Sequence, residues 1–272
     1  KTPFFCVHGG AGHVIHYHDF ARLLGTERPF YGLQPKLEKI SHESVFTNVE
    51  QMAAHYIKEI KMVQPQGPYL LSGFCFGGIV VYEMAQQLRQ AGDDVGLLVF
   101  IDPTTPQNKA QLTHPAPAED PAARLARHKQ NLAQLGRLAR LGYILNSVNN
   151  RFAAVWNDLS LAWLRTWRSS RAAVFQRYIQ WRHVVPSRFA DFYFMHVIAT
   201  TATQTYLPQR YPGEAILFYS TLENDGDETL CWAGLAEEGL KLYAVESTHL
   251  GILKRPYIDQ VAQKIQQYLE PF

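Results

Sequence analysis

Cysteine is scarce in this chain, with three in 272 residues, at positions 6, 75 and 231. An odd number of widely spaced cysteines builds no disulfide framework and fits a reducing compartment, so a cytoplasmic protein is expected. Long hydrophobic runs are also missing: no apolar stretch approaches the roughly 20 residues of a membrane-spanning helix. No signal peptide precedes the first strand-like run, Phe4-Phe5-Cys6-Val7, and a start that abrupt reads as a domain taken from a longer polypeptide. Charge of one sign is lacking as well, since the net charge is only +2. Composition therefore gives no case for nucleic acid. Neither nucleic acid nor membrane is an expected partner, and the chain is expected to act as a monomer. There are no internal repeats.

What is present is an alternation of short apolar runs with helical patterns, the mark of βαβ units around a mostly parallel, twisted sheet. Phe4–Val7 reads as a strand that ends in the loop His8-Gly9-Gly10-Ala11-Gly12. Tyr17–Leu24 reads as a helix and Phe30–Leu33 as a strand. Val45–Val63 carries Val49, Met52, Ala53, Tyr56, Ile57 and Ile60 on one helical face. A strand from Tyr69, a helix through Leu88 and a strand at Gly96–Ile101 follow. Strands at Ala215–Tyr219 and Leu240–Ala244 and a helix at Pro256–Leu269 close the chain.

Between these blocks the composition changes. Residues 104–200 hold 13 Lys and Arg against 4 Asp and Glu, and four of the five tryptophans. The near-neutral total thus hides a basic insertion in an acidic body. Helical patterns at Ala122–Leu141, Val155–Trp167, Ala172–Trp181 and Phe189–Tyr206 follow a proline-rich entry at Pro103–Pro121. The expected layout is a core of residues 1–103 and 207–272 with a helical lid at 104–206. Most of the lid residues are accounted for by solvated faces and packed aromatics. Its basic rim would also suit an acidic partner, and Trp163 and Trp167, an i, i+4 pair, could wall a water-excluding chamber.

The chemistry concentrates at Gly73-Phe74-Cys75-Phe76-Gly77. An apolar run leads in and a helical run leads out, the setting of a nucleophile elbow. Acyl transfer needs a nucleophile, a base, an acid that orients the base, and donors for the oxyanion. The chain supplies Cys75, Asp102 and His249 in the order this fold uses. A helix N-terminus and a neighbouring imidazole both favour the thiolate. Cys6 and Cys231 lack the glycine frame and read as packing residues. Asp102 ends the strand after the elbow helix; Glu223, Asp225 and Asp227, on a later loop, are the competing acids. The backbone N–H groups of Phe76, Gly10 and Ala11 are the expected oxyanion donors. The first glycine loop lacks the spacing and lysine of a phosphate-binding loop. His8, His13, His16 and His18 lack the companions of a metal site, so no metal is expected.

Four stretches resemble the thioesterase domains that end nonribosomal peptide and polyketide synthetases, a branch of the α/β-hydrolases. They are Pro3–His8 with its glycine loop, Arg28–Pro35, Gln64–Gly73, and the elbow with Gly77-Gly78; Asp102 and His249 match as well. The resemblance implies transfer of an acyl chain from the phosphopantetheine thioester of an upstream carrier domain onto Cys75, with no bound cofactor. Release to water or to an internal nucleophile follows. The departure from the pattern is cysteine where serine is usual, which makes the acyl-enzyme a thioester. Cysteine-bearing members are associated with strained lactams and lactones, so ring closure to a β-lactam or β-lactone is the expected outcome. The alternatives are hydrolysis to a free acid, a serine thioesterase whose nucleophile was exchanged for cysteine as a trap, and a non-catalytic binding domain.

Overall fold

The computed structural model describes residues 1–35, 46, 48–104, 194, 199–222, 232 and 234–272. The chain divides into two compact units, Lys1–Leu112 with Arg182–Phe272, and Thr113–Trp181. Every described residue belongs to the first.

Among the described residues that unit is built on a sheet of six parallel strands: β1 (Phe4–Val7), β2 (Phe30–Leu33), β3 (Tyr69–Phe74), β4 (Val95–Ile101), β5 (Ala215–Ser220) and β6 (Leu240–Val245). Their order is β2-β1-β3-β4-β5-β6, and each neighbouring pair is parallel. The inner strands are buried along nearly their whole length, as a sheet covered on both faces requires. Successive side chains go to opposite faces. Phe4, Cys6, Leu70, Val99 and Phe218 join one core cluster with Phe20 of α1 (His18–Leu24) and with Ile258, Val261 and Ile265 of α5 (Tyr257–Leu269). On the other face Phe100 meets Tyr82 and Trp232 at ring separations of 6.0 and 5.0 Å. Helices α2 (Val49–Val63) and α3 (Phe76–Gln90) pack against one another, and α3 lies on β1, β3 and β4. A short helix, α4 (Thr200–Thr205), precedes β5. This is the α/β-hydrolase fold.

Three helix starts differ from expectation. Helix α2 begins at Val49 rather than Val45, because the Asn48 side chain accepts a hydrogen bond from the Gln51 N–H at 2.8 Å and caps it there. A 3₁₀ turn, Ile15–Tyr17, absorbs the expected first residue of α1. Pro256 caps α5 rather than opening it. Helix α3 reaches back to Phe76, directly behind Cys75. Of the helix expected over Phe189–Tyr206, the described part is α4 with Phe194 and Ala199; the three preceding lid helices lie outside the described residues.

The order reverses between β1 and β3: from β1 the chain steps to β2 on one side, then returns to β3 on the other. At such a switch point the loops leave the carboxyl ends of the strands in opposite directions and open a crevice. The loop after β1 and the elbow after β3 are the two walls of that crevice.

Candidate active site

Cys75 occupies the turn between β3 and α3 with φ 55° and ψ −123°. A non-glycine residue rarely adopts that conformation, and the surroundings hold it there. A Cβ on Gly73 would collide with the Gly77 carbonyl, and a Cβ on Gly77 would collide with the carbonyl oxygens of Val7 and His8. The flanking glycines are thus required by close backbone approach. The Cys75 N–H donates to Ile101 O at 3.1 Å, and the Cys75 carbonyl accepts from Gly78 N–H at 3.0 Å and Thr104 N–H at 3.1 Å. The elbow is pinned to the end of β4 as well as to its own helix.

Asp102 follows β4 and also has positive φ, 44°. Its N–H donates to Phe218 O at 2.7 Å, which fixes the turn against β5. Asp102 is 3% exposed. Oδ1 accepts from the Ser220 N–H at 2.9 Å, and Oδ2 accepts from the Ser220 hydroxyl at 2.7 Å. Oδ2 also meets Nδ1 of His249 at 2.6 Å. Burial pushes the Asp102 pKa up, but hydrogen bonds from His249 and Ser220 outweigh it and hold the carboxyl below its ordinary value.

His249 stands in the loop after β6, its ring stacked on Phe74 with centroids 4.8 Å apart and planes 23° apart. With Nδ1 on Asp102, its hydrogen bond to the Cys75 thiol falls to Nε2. Burial works against a charged imidazole; the hydrogen bonds and charges of Asp102 and Cys75 prevail and push its pKa up to about 10. For Cys75, burial raises the pKa, but the His249 hydrogen bond and charge, the Thr104 hydroxyl and the Phe76 N–H lower it below the ordinary thiol value. The two shifts agree in direction. Both favour the thiolate–imidazolium form of the pair, and the α3 N-terminus behind the sulfur favours it too.

All three expected triad members therefore converge, each from the carboxyl end of a different strand. The Phe76 N–H is directed at the sulfur. Gly10 lies against it: a Cβ there would be 3.9 Å from Phe76 Cβ. Ala11, next in the loop, is half-buried. Cys6 is fully buried in the core cluster, and burial raises its thiol pKa. The competing acids Glu223, Asp225 and Asp227, the chamber residues Trp163 and Trp167, and Cys231 lie outside the described residues. Among the described residues no three His, Cys, Asp or Glu side chains are grouped to hold a metal ion.

Two contacts had no motif to announce them. Ser220, the last residue of β5, donates to both carboxylate oxygens of Asp102; a lone polar residue ending the run Ala-Ile-Leu-Phe-Tyr-Ser was the available signal. Thr104 places its hydroxyl 3.5 Å from the Cys75 sulfur.

Sequence and structure comparisons bear on the family and the fold. Among curated proteins, a dimodular nonribosomal peptide synthase of Bacillus subtilis (strain 168) is 44% identical over 102 residues, 38% of this chain and 4% of the relative. Atromentin synthetase invA5 of Paxillus involutus is 37% identical over 114 residues, 42% of this chain and 12% of the relative. The chain thus spans a small part of the length of these relatives. Among solved structures, the NocB thioesterase domain from the nocardicin cluster superposes with a TM-score of 0.63 at 20% identity, covering 99% of this chain and 94% of that one. The four-domain nonribosomal peptide synthetase AB3403 gives 0.65 at 24% identity, covering all of this chain and 20% of that one. At such identities the structural likeness shows the fold. The family model described as a thioesterase domain matches residues 2–269, from before β1 to the end of α5. A match of that extent, over a fold with the elbow in place, means that the chain belongs to the thioesterase domain family.

Proposed function

We propose that this domain releases an acyl or peptidyl chain from the phosphopantetheine thioester of an upstream carrier domain, through a thioester on Cys75, by intramolecular ring closure. The observation that carries the reading is the convergence of Cys75, its pKa lowered, and His249, its pKa raised, with Asp102 2.6 Å from the imidazole. The nonribosomal peptide setting follows from the kind of protein in which the related segments occur. Residues 104–206 would act as a lid, with Trp163 and Trp167 walling a chamber that excludes water. The domain would work as a cytoplasmic monomer.

The thiolate of Cys75 attacks the carbonyl carbon of the incoming thioester. The Phe76 N–H and the amides of Gly10 and Ala11 receive the developing oxyanion. As the bond to pantetheine sulfur breaks, the His249 imidazolium gives its proton to that sulfur. His249 is then neutral, and Asp102 holds it in the tautomer that leaves Nε2 as acceptor. An amine or hydroxyl further along the acyl chain attacks the Cys75 thioester, and its proton passes to Nε2. The bond to Cys75 sulfur breaks, and the thiolate–imidazolium pair is restored. The two acyl linkages to sulfur are near in energy, so the first step stores what the second needs. An oxoester would retain less, and that is the reason to connect cysteine with closing a strained ring.

The test is to incubate the protein with a pantetheine thioester of a peptide carrying an internal amine and to weigh protein and product. An acyl adduct on Cys75 and a product one water lighter than the free acid are expected. In Cys75→Ala, turnover falls by about 10³-fold or more. Free acid as the main product would leave a hydrolytic thioesterase. Absence of a Cys75 adduct during turnover would remove the nucleophile assignment.

A further inference from the structure

One buried hydroxyl joins the two walls of the crevice, and it belongs to neither the triad nor the oxyanion donors. Tyr17 is 2% exposed. Its hydroxyl donates to the Val7 carbonyl at 2.6 Å and accepts from the Phe74 N–H at 2.8 Å. Val7 is the last residue of β1, just ahead of the loop that carries Gly10 and Ala11. Phe74 is the last residue of β3, just ahead of Cys75. The paired stretch of these strands ends at Val7 and Gly73, so the hydroxyl bridges the strand ends where the sheet opens.

A single oxygen with two hydrogen bonds holds those ends farther apart than one direct bond of about 2.9 Å would. The contact also reaches the rest of the site through Phe74. The Phe74 ring stacks on His249 and lies 3.2 Å from where a Cβ on Gly9 would be. Tyr17 sits on the 3₁₀ turn that closes the first loop, its N–H bonded to Val14 O at 3.0 Å. The hydroxyl therefore ties the far end of that loop back to its own start. Packing does not need the oxygen: the ring already fills its place against Phe20 and Phe30, at 6.4 and 6.2 Å. Burial first, then the nearby Cys6 and Cys75, outweigh the Phe74 N–H and push the phenol pKa well up, so the hydroxyl remains a donor to Val7.

We propose that Tyr17 is a positioning residue that sets the gap between the Cys75 elbow and the Gly9–Ala11 loop, and so the reach of the oxyanion donors. The proposal rests on Cys75 being the nucleophile. Its chemistry separates two reactions of the same sulfur. Acyl transfer builds an oxyanion and needs the first loop in register. Alkylation by iodoacetamide displaces iodide at a saturated carbon and builds none.

The test compares wild type with Tyr17→Phe, which keeps the ring, and with Tyr82→Phe. The Tyr82 hydroxyl lies against the Leu235 carbonyl at 2.9 Å, away from the triad, so Tyr82→Phe controls for loss of a buried hydroxyl. Each variant is assayed for kcat and KM on an acyl pantetheine thioester, for the Cys75 alkylation rate by peptide mapping, and for Tm. In Tyr17→Phe, kcat is expected to fall about 10–100-fold, with KM and the alkylation rate within about threefold of wild type. Tyr82→Phe is expected to keep kcat at a similar loss of Tm. Should Tyr17→Phe fail to fold, Tyr17→Met, which fills the position with neither a hydroxyl donor nor acceptor, is expected to show the same split. Unchanged kcat in the Tyr17 variant overturns the proposal. So does an equal fall in acyl transfer and alkylation, or an equal loss of kcat in Tyr82→Phe. If wild-type Cys75 alkylates no faster than Cys6 and Cys231, the nucleophile assignment itself falls, and the role of Tyr17 falls with it.

Discussion

The two ends of the same sheet are built differently. Where the strands begin, ordinary backbone is laced together. The Arg28 guanidinium, 8% exposed, donates to the carbonyls of Thr2 and Leu269, the latter at 2.7 Å. Phe4 N–H donates to Pro29 O at 2.9 Å, and Tyr69 N–H to Asp94 O at 2.9 Å. Where the strands finish, Cys75 and Asp102 both have positive φ. A carboxylate, an imidazole and a thiol sit there within hydrogen-bonding reach. Among the described residues these are the two non-glycine positions with positive φ. The difference follows from the direction of the chain. In a parallel sheet with helical crossovers, helix N-termini and their free N–H groups gather at the strand finishes, so that end stabilises anions. Helix C-termini gather at the starting end, where the field favours cations, and there the Arg28 guanidinium binds the Leu269 carbonyl at the end of α5. A substitution should therefore change catalysis or stability according to the end it touches.

The largest effect belongs to Asp102→Asn. The carboxamide cannot accept from Ser220 and from His249 in the same way, and it presents an N–H where Nδ1–H should donate. The imidazole then turns to the wrong tautomer, with Nε2 protonated and no acceptor for the attacking group. A fall in kcat of about 10³–10⁴-fold with little change in KM is expected in the thioester assay. A loss below tenfold would mean that the acid lies elsewhere, with Asp225 and its neighbours the candidates.

Arg28→Met tests the opposite end. The side chain keeps its length and apolar stem, but two buried carbonyls lose a charged donor. Stability to urea should fall by about 1–3 kcal/mol, while kcat and KM at 25 °C stay within about twofold of wild type. A variant of unchanged stability and lowered kcat would erase the distinction between the two ends.

How far the residues alone foretold this arrangement also divides by region. The elbow was legible because its constraint is local. Gly73 and Gly77 must be small for β3 and α3 to approach, and that requirement leaves a pattern of adjacent residues. Asp102 and His249 were legible through position, each just past a strand. Ser220 was not. It lies 118 residues from Asp102 and reaches it only through the parallel register that sets Ile101 opposite Phe218. The Tyr17 bridge crosses 57 residues to Phe74 in the same way. The apolar periodicity of α2 extended past Asn48, and a side-chain cap, not a break in the pattern, stopped the helix. Local sterics leave sequence signatures; contacts made by register do not.

The smallest effect concerns how the reactive end responds to pH. His249 binds its proton more tightly in the folded protein than in the unfolded chain, about 10 against an ordinary 6.5. Folding is therefore favoured by this group below pH 6.5, and the contribution drains away as pH rises through 10. Asp102 has the opposite sign. Its pKa is lowered on folding, so its contribution stands above its ordinary value of 3.8 and is lost as pH falls through the lower folded value. Between those limits both groups stabilise the fold, and the strained turns at Cys75 and Asp102 are offset by the charges they bring together. His249→Gln removes the first contribution but leaves Asp102 bonded to Ser220. The Tm difference between wild type and this variant should be a few degrees near pH 6 and should shrink steadily toward pH 10. What remains there is the lost stack on Phe74, which does not titrate. A difference that grows with pH would mean that His249 is neutral at rest. Cys75 would then be a thiol awaiting a base, and the reactive end would differ from the other in geometry but not in charge.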